Sequence, residues 1–359
     1  MYNLDTLTLH ELIELAAAAN ASDLMIKADQ VPMTKKYDSV KALHPDLPVL
    51  TAAAVSRMLL SLMTDRQKHI FEETLEMDLG FTVPGICRVR CNVYWQKGSM
   101  ASVCRVVPLK IKTLEELGLP PILGELTKAK NGLILVTGPT GSGKTTTLAA
   151  MLDIVNAERP CNMVTIEDPL EFVHNDKLAY VTQREIGIDS LDFQPALRAS
   201  LRQAPDVILI GEMRDTTTMG IALQAGETGH LVFSTVHTSS AYETMDRVIN
   251  MFPPHEKGHM CQRMGNSLRA IIAQKLIPRD DGDGRVAALE ILICTPTVSK
   301  AIEDGHFSDL YHLMNEGSFW GMQTMNQSLV RYVKAGVINE ATAMRNAGVA
   351  SELKQMLRR

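Results

Sequence analysis

Residues 138–145 read GPTGSGKT, which matches the phosphate-binding pattern GxxxxGK(S/T) in full. We call this segment the phosphate loop. Its glycines let backbone N–H groups approach phosphate oxygens, because no Cβ stands in the way. Lys144 is expected to reach the β- and γ-phosphates of ATP, and the hydroxyl of Thr145 is expected to hold Mg²⁺. The predicted nucleotide-binding residues are Gly138, Pro139, Thr140, Gly141, Ser142, Gly143, Lys144, Thr145 and Thr146. The alternative is a glycine-rich turn that binds nothing.

Two further segments carry carboxylates after apolar runs. Residues 165–171 read TIEDPLE and contain Glu167 and Glu171, and the run VILI at 207–210 is followed by Gly211 and Glu212. Nucleotide hydrolysis needs a carboxylate that orients or deprotonates the attacking water. The second segment is typical of a Walker B strand, so Glu212 is expected to act on the Mg²⁺ shell directly or through water. A solvated acidic loop and a surface glutamate are the alternatives.

Histidines and arginines form the remaining candidates. His230 and His237 flank the apolar run 231–236, where they could sense the γ-phosphate or serve only a structural role. Arg88 and Arg90 alternate along a predicted strand and therefore point to the same face. Together with Arg105 they are either solvent charges or arginine fingers of an oligomeric ATPase.

These groups need a sheet that brings them to one edge. From residue 122 onward, apolar runs at 132–137, 162–167, 206–211 and 230–235 alternate with helical patterns. This alternation predicts a parallel sheet covered on both faces, whose carboxyl ends bind the ligand. We predict an α/β ATPase domain over 122–359 that becomes helical from about residue 265.

The first 108 residues predict a separate, small α+β domain. The pattern indicates helices at 8–19 and 52–71, a strand at 23–26, and a hairpin of strands 88–95 and 101–107. Residues 109–121 are predicted to be the linker.

Composition narrows the function classes. The 359 residues carry a net charge of −5, which gives no electrostatic reason to expect a nucleic acid partner. No apolar run approaches the ~18 residues of a membrane span, and the first residues lack a signal-peptide pattern. We therefore expect a cytoplasmic location.

The six cysteines form no CxxC pair, and buried, reduced thiols are expected at Cys87, Cys91 and Cys104.

The order of the motifs resembles that of the secretion-type hexameric ATPases, and within them the PilT/PilU class of type IV pilus retraction motors. The resemblance extends over nearly the whole chain. It rests on GPTGSGKTTT, TIEDPLEFVH, LRQAPDVILIGEMRD and GETGHLVFSTVHT, and on ASDLMIKADQVP, VYWQKGSMASVCRVVP, SLRAIIAQKLIP and WGMQTMNQSL outside the ATPase motifs.

The resemblance implies a PAS-like N-terminal domain, a RecA-like ATPase domain, a homo-hexamer, and the ligands ATP and Mg²⁺. By position it implies that Glu171, with Glu167 second, activates water, that Glu212 is the Walker B glutamate, and that His230 and His237 form the His box. Arg88, Arg90 and Arg105 match arginines that approach a nucleotide across domains or subunits.

The implied task is pilus retraction against an inner-membrane platform protein, which would place the chain peripherally at that membrane through the pilus base. A paralogous retraction ATPase is a possible partner. Residues 298–305 depart from the family's retraction segment, so an accessory paralogue of the main motor is an alternative. A conjugation-type traffic ATPase and a nucleotide-gated signalling module are two others.

Overall fold

The computed structural model describes residues 2–36, 39–282 and 284–358, which form two compact units. The N-terminal unit comprises Met1–Lys110 with the short segment Glu171–Val173, and the C-terminal unit comprises Ile111–Leu170 and His174–Arg359. Most of the predicted linker, residues 109–121, therefore belongs to the C-terminal unit. The reason is packing, because Leu114 and Leu119 are buried in that unit's core.

A six-stranded antiparallel sheet of order β3-β2-β1-β6-β5-β4 is the centre of the N-terminal unit, as expected of a PAS-like domain. Its apolar face packs against the helices. The elements are α1 (Leu9–Ala18), β1 (Asp23–Lys27), β2 (Met33–Lys36), β3 (Ser39–Ala42), α2 (Ala52–Leu60), α3 (Asp65–Thr74), β4 (Glu76–Val83), β5 (Cys87–Gln96) and β6 (Ser99–Pro108).

The single helix predicted over 52–71 is wrong, since the structure has two helices there. Thr64 starts the second one with a capping box: its hydroxyl accepts from the backbone N of Gln67, and the Gln67 side chain accepts from the backbone N of Thr64. The apolar pattern of the sequence continues across residues 61–64, which separate the two helices, so the pattern alone predicts one helix. The hairpin prediction is confirmed, and Cys87, Cys91 and Cys104 are buried free thiols.

The C-terminal unit is built on a seven-stranded sheet of order β13-β12-β7-β11-β10-β8-β9. All neighbours are parallel except β13, which is antiparallel to β12. The strands are β7 (Gly132–Thr137), β8 (Asn162–Glu167), β9 (Tyr180–Glu185), β10 (Val207–Ile210), β11 (Leu231–Val236), β12 (Leu268–Pro278) and β13 (Arg285–Ile293). The four predicted parallel strands are confirmed as β7, β8, β10 and β11.

Helices cover this sheet. They are α4 (Ile122–Leu126), α5 (Lys144–Glu158), α6 (Phe193–Ser200), α7 (Thr216–Glu227), α8 (Ala241–Asn250), α9 (Pro254–Ser267), α10 (Pro296–Glu303), α11 (Leu310–Glu316), α12 (Met325–Lys334), α13 (Glu340–Asn346) and α14 (Ala350–Leu357). None of the described helices is long and apolar enough to cross a bilayer.

The C-terminal part is helical only from Pro296 onward, so the predicted start at about residue 265 is too early. Residues Leu268–Pro278 are an apolar run that forms β12, and short buried runs cannot be assigned to helix or strand by periodicity. Because β12 pairs with β7, it lies directly beside the strand that leads into the phosphate loop.

Candidate nucleotide site

The phosphate loop connects a fully buried strand, β7, to the first turn of α5. Gly138 has φ +148° and Gly143 has φ +86°, so both adopt backbone conformations that favour glycine. A Cβ on Gly138 would lie 2.4 Å from the carbonyl oxygen of Gln274. Both glycines of the GxxxxGK(S/T) pattern, Gly138 and Gly143, are therefore favoured by conformation, and Gly138 also has no room for a Cβ against the backbone of Gln274.

The side chains of the phosphate loop fit an anion. The Lys144 ammonium donates to the carbonyl oxygens of Gly138 and Pro139 at 2.8 and 3.1 Å. The hydroxyls of Thr137 and Ser142 are buried and have no hydrogen-bond partner among the described residues. A buried cation, two such hydroxyls and the amino end of a 15-residue helix favour bound phosphate.

The remaining residues of the predicted set lie at the surface of the same loop and helix. Pro139, Thr140 and Gly141 are exposed at the tip of the loop. Thr145 and Thr146 are half-buried in the first turn of α5. Thr145, the last residue of the phosphate loop, is thus in the first turn of α5, where a hydroxyl ligand of Mg²⁺ would have to be.

Parallel strand registers bring three of the predicted residues to the carboxyl end of the sheet, which we call the carboxyl edge. Thr137, which precedes the phosphate loop, pairs with Val236, and Ile210 pairs with both Ser234 and Ile166. The chain therefore leaves β7, β11, β10 and β8 at the same edge. The side chains that follow are those of Glu167, Glu212 and His237.

Glu212 and His237 are in contact at this edge. His237 Nε2 lies 3.2 Å from Glu212 Oε1, and Arg214 Nε donates to Glu212 Oε2 at 2.8 Å. This hydrogen bond, with the carboxylate charge, raises the pKa of Arg214 above its ordinary value. The Thr235 hydroxyl donates to the carbonyl of Gly211 at 2.7 Å and ties β11 to the residue before Glu212.

Glu167 ends β8 and is only 6% exposed. Its Oε1 accepts from the hydroxyl of Thr165 at 2.7 Å and from Gln183 Nε2 at 3.4 Å. Gln183 Oε1 in turn accepts from the backbone N of His174 at 2.8 Å. The carboxylate is therefore held in one orientation by neighbours on β8 and β9.

His230 lies at the opposite end of the sheet from the phosphate loop. It precedes β11, and the next residue, Leu231, pairs with Gly132 at the start of β7. Six residues of strand separate the two ends, which is about 20 Å. His230 Nδ1 lies 2.9 Å from the carbonyl oxygen of Ala225. The structure does not bring His230 to the phosphate loop of its own chain, and its contacts match the structural alternative.

Glu171 and the three candidate arginines belong to the N-terminal unit. Arg88 and Arg90 share one face of β5, between buried neighbours, and Arg90 pairs directly with Arg105 across to β6. Within this unit Arg90 Nη1 lies 3.9 Å from Glu171 Oε1, and Arg105 Nε lies 3.2 Å from Asp23 Oδ1. Opposed residues of a strand pair point to the same face, so the three arginines lie together.

Sequence reasoning missed Gln274, which is 3% exposed on β12. Its side chain bonds both the phosphate loop and α5: Nε2 donates to the carbonyl of Ser142, and Oε1 accepts from the hydroxyl of Thr147, each at 2.7 Å. The only signal in the sequence is a pair of polar residues, Gln274 and Lys275, between the apolar stretches of β12. Nothing local shows that this run lies against a loop more than a hundred residues earlier.

The fold and the site define an ATPase-type α/β protein with an added PAS-like unit, and known sequences and structures agree. The chain belongs to the family described as Type II/IV secretion system protein, whose profile matches residues 5–310.

Individual relatives resemble the chain over nearly its full length. It is 43% identical to the type IV pilus retraction ATPase PilT of Pseudomonas aeruginosa, over 94% of this chain and 98% of that protein. It is 37% identical to the type IV pilus ATPase PilU of the same organism, over 97% and 91%. A crystal structure of the pilus retraction motor PilT with bound ADP superposes with a TM-score of 0.90 at 39% identity, covering 97% of this chain and 99% of the other.

Proposed function

We propose that this chain is a hexameric ATP-hydrolysing motor that powers type IV pilus retraction. The observation that carries the proposal is the phosphate loop, whose Lys144 ammonium, buried hydroxyls and glycine conformations fit the phosphates of a nucleotide. The full-length similarity to a pilus retraction ATPase, and to its structure with bound ADP, supports the same ligand and task.

The candidate residues of the phosphate loop, of the carboxyl edge and of the segment 165–171 each have a proposed role in binding and hydrolysis. Lys144 and the backbone N–H groups of the phosphate loop hold the β- and γ-phosphates. Thr145 and Glu212 would hold Mg²⁺ directly or through water, and the ion would neutralise phosphate charge. Glu171 orients and deprotonates the attacking water, with Glu167 as the second candidate.

His237 is the proposed link between the nucleotide and the rest of the chain. It contacts Glu212 through Nε2, and its carbonyl accepts from Arg247 of α8 at 2.8 Å. A change at Glu212 is therefore transmitted to α8 through a single residue. His230 is assigned to the His box by position only, and we propose that it stabilises the opposite end of the sheet.

Arg88, Arg90 and Arg105 are proposed to act as arginine fingers in the hexamer. Three guanidinium groups on one face of a sheet concentrate positive charge, and arginine binds phosphate oxygens through paired donors. A nucleotide contacted in this way by another subunit would make hydrolysis depend on assembly. We therefore expect the isolated subunit to be slow.

An ATPase assay on the purified full chain tests the site. Lys144→Ala should abolish turnover, Glu171→Gln should lower kcat by at least about 10²-fold, and Glu167→Gln should have a smaller effect. Lys128→Ala is the matched control, because this exposed lysine lies outside the phosphate loop and forms an ion pair with Glu125 at 2.8 Å. Wild-type turnover in Lys144→Ala or Glu171→Gln would overturn the assignment.

Assembly is tested separately from the site. Light scattering behind size exclusion with Mg²⁺ and ATP should give a hexamer, and a fully active monomer would contradict the proposal. The proposed partner is an inner-membrane platform protein at the pilus base, which implies a cytoplasmic chain held peripherally at that membrane.

An accessory role beside a paralogous retraction ATPase is the second candidate. The chain is 43% identical to a protein named for pilus retraction and 37% identical to one named only as a pilus ATPase, which favours a role in retraction itself. If deletion of the gene abolishes pilus retraction, the result supports a pilus motor. If it abolishes export of a substrate without a pilus defect, the result favours a conjugation-type traffic ATPase.

A further inference from the structure

Gln274 lies under the phosphate loop without belonging to its motif. The register of β12 with β7 ends at the pair of Ala273 and Thr137, so Gln274 is the first residue beyond that ladder. Its side chain is buried in the space between the loop and the first turn of α5. A buried amide is costly unless all its groups are paired, and here both ends are.

The orientation of the Gln274 amide follows from its partners. The carbonyl oxygen of Ser142 can only accept a hydrogen bond, so the group facing it at 2.7 Å must be the NH₂. The carboxamide oxygen then faces Thr147, whose hydroxyl donates to it at 2.7 Å. The side chain therefore joins two consecutive parts of the nucleotide site.

The bond to Ser142 also sets the direction of a loop N–H group. In a planar trans peptide the C=O of one residue and the N–H of the next point in opposite directions. Fixing the Ser142 carbonyl toward β12 therefore fixes the Gly143 N–H away from β12. That is the orientation that an anion-binding loop requires of its N–H groups.

Close packing reinforces this arrangement at both ends of the loop. A Cβ on Gly143 would lie 2.8 Å from Gln274 Nε2, and one on Gly138 would lie 2.4 Å from the Gln274 carbonyl oxygen. Real Cβ atoms essentially never come so close. Gln274 therefore packs against the phosphate loop at two points: its side chain lies against Gly143, and its backbone carbonyl lies against Gly138.

We propose that Gln274 is a positioning residue that holds the phosphate loop in its phosphate-binding conformation through the Ser142–Gly143 peptide. It acts through the Gly143 N–H and does not itself touch the nucleotide. The inference rests on the proposed function, because it assumes that the loop binds nucleotide phosphates.

The test separates the donor half of the amide from its acceptor half. Gln274→Glu keeps an oxygen for Thr147 but loses the donor to Ser142, and Gln274→Met removes both halves without adding charge. Thr147→Val removes only the bond to the acceptor oxygen. Gln323→Glu is the matched control, because Gln323 Nε2 also donates to a backbone carbonyl, that of Leu289 at 2.9 Å, on the β13 side of the sheet.

Binding of fluorescent N-methylanthraniloyl-ADP with Mg²⁺ is measured on the full chain, together with KM and kcat for ATP. Gln274→Glu and Gln274→Met should raise Kd and KM on the order of tenfold, with a smaller change in kcat. Thr147→Val should change Kd by less than about threefold, and Gln323→Glu should leave it unchanged. Thermal unfolding of each variant, recorded without nucleotide, checks that the variant is folded.

Wild-type Kd and KM in both Gln274 variants, or an effect no larger than that of Thr147→Val, would overturn the inference alone. Failure of the wild-type chain to bind the probe would instead overturn the proposed function and the inference with it. Lys144→Ala, measured in the same assay, shows the signal expected when nucleotide binding is lost.

Discussion

His174 should make the stability of the C-terminal unit depend on pH. Its ring is 7% exposed, and Nδ1 has no hydrogen-bond partner among the described residues. Burial is the main cause that lowers the pKa of His174 from 6.5 to about 4, helped by the charge of Lys177 and opposed by that of Asp153. The folded protein therefore keeps this ring neutral.

The sign and size of the effect follow from proton linkage. The pKa is lower in the folded state, so between pH 6.5 and pH 4 the unfolded chain binds a proton that the folded chain does not. The contribution of the neutral His174 ring to the free energy of unfolding is fully present above pH 6.5. It decreases as pH falls from 6.5 toward 4 and is lost completely below pH 4. At about 1.4 kcal/mol per pKa unit, the total loss is on the order of 3 kcal/mol, and about 2 kcal/mol of it appears by pH 5.

Urea unfolding at pH 7.5 and pH 5.0 measures this loss. The chain has two tryptophans, and Trp95 lies in the N-terminal unit, so a Trp95→Phe background leaves Trp320 to report on the C-terminal unit. His174→Gln should lose about 2 kcal/mol less than its parent between the two pH values. His255→Gln, at a ring whose side chain is 77% exposed, should behave like the parent. Equal losses in parent and His174→Gln would refute the reasoning.

Two further predictions concern the carboxyl edge. Gly138→Ala should abolish binding of ADP with Mg²⁺ in a fluorescence titration, because its Cβ would lie 2.4 Å from the Gln274 carbonyl oxygen. Gly118→Ala is the control, since Gly118 also has a positive φ but has open space around it, and this variant should only lower the melting temperature by about a few degrees. Binding of ADP by Gly138→Ala would contradict the prediction. In a double-mutant cycle of Glu212→Gln and His237→Gln, urea unfolding at pH 6 should give a coupling free energy of about 0.5–1 kcal/mol, and strict additivity would show that the 3.2 Å contact contributes nothing.

The sequence predicts the sheet and much of the carboxyl edge because each apolar run of the ATPase unit ends in a motif. Strands in a parallel sheet share one direction, so residues that follow them, such as Glu212 and His237, meet at one edge. The same rule places His230 at the other edge, since it precedes its strand. The sequence motif has a histidine on each side of the strand and so groups two residues that the fold places at opposite ends of the sheet.

Other features depend on contacts that no local pattern carries. Gln274 reaches the phosphate loop because β12, which comes after the other parallel strands in the sequence, lies beside β7 in the sheet. The break at Thr64 follows from a capping box that competes with an uninterrupted apolar pattern. Residues 111–121 look like a linker by composition, yet two of their leucines complete the core of the C-terminal unit.

Pilus retraction in a deletion strain tests the central claim most directly, namely that ATP hydrolysis at the phosphate loop powers retraction. Retraction events are counted in cells complemented with the wild-type chain, with Lys144→Ala or with Lys128→Ala, at equal protein levels. We predict that the wild-type chain and Lys128→Ala restore retraction and that Lys144→Ala leaves cells with excess, immobile surface pili. Normal retraction with Lys144→Ala, or in the deletion strain itself, would contradict the claim.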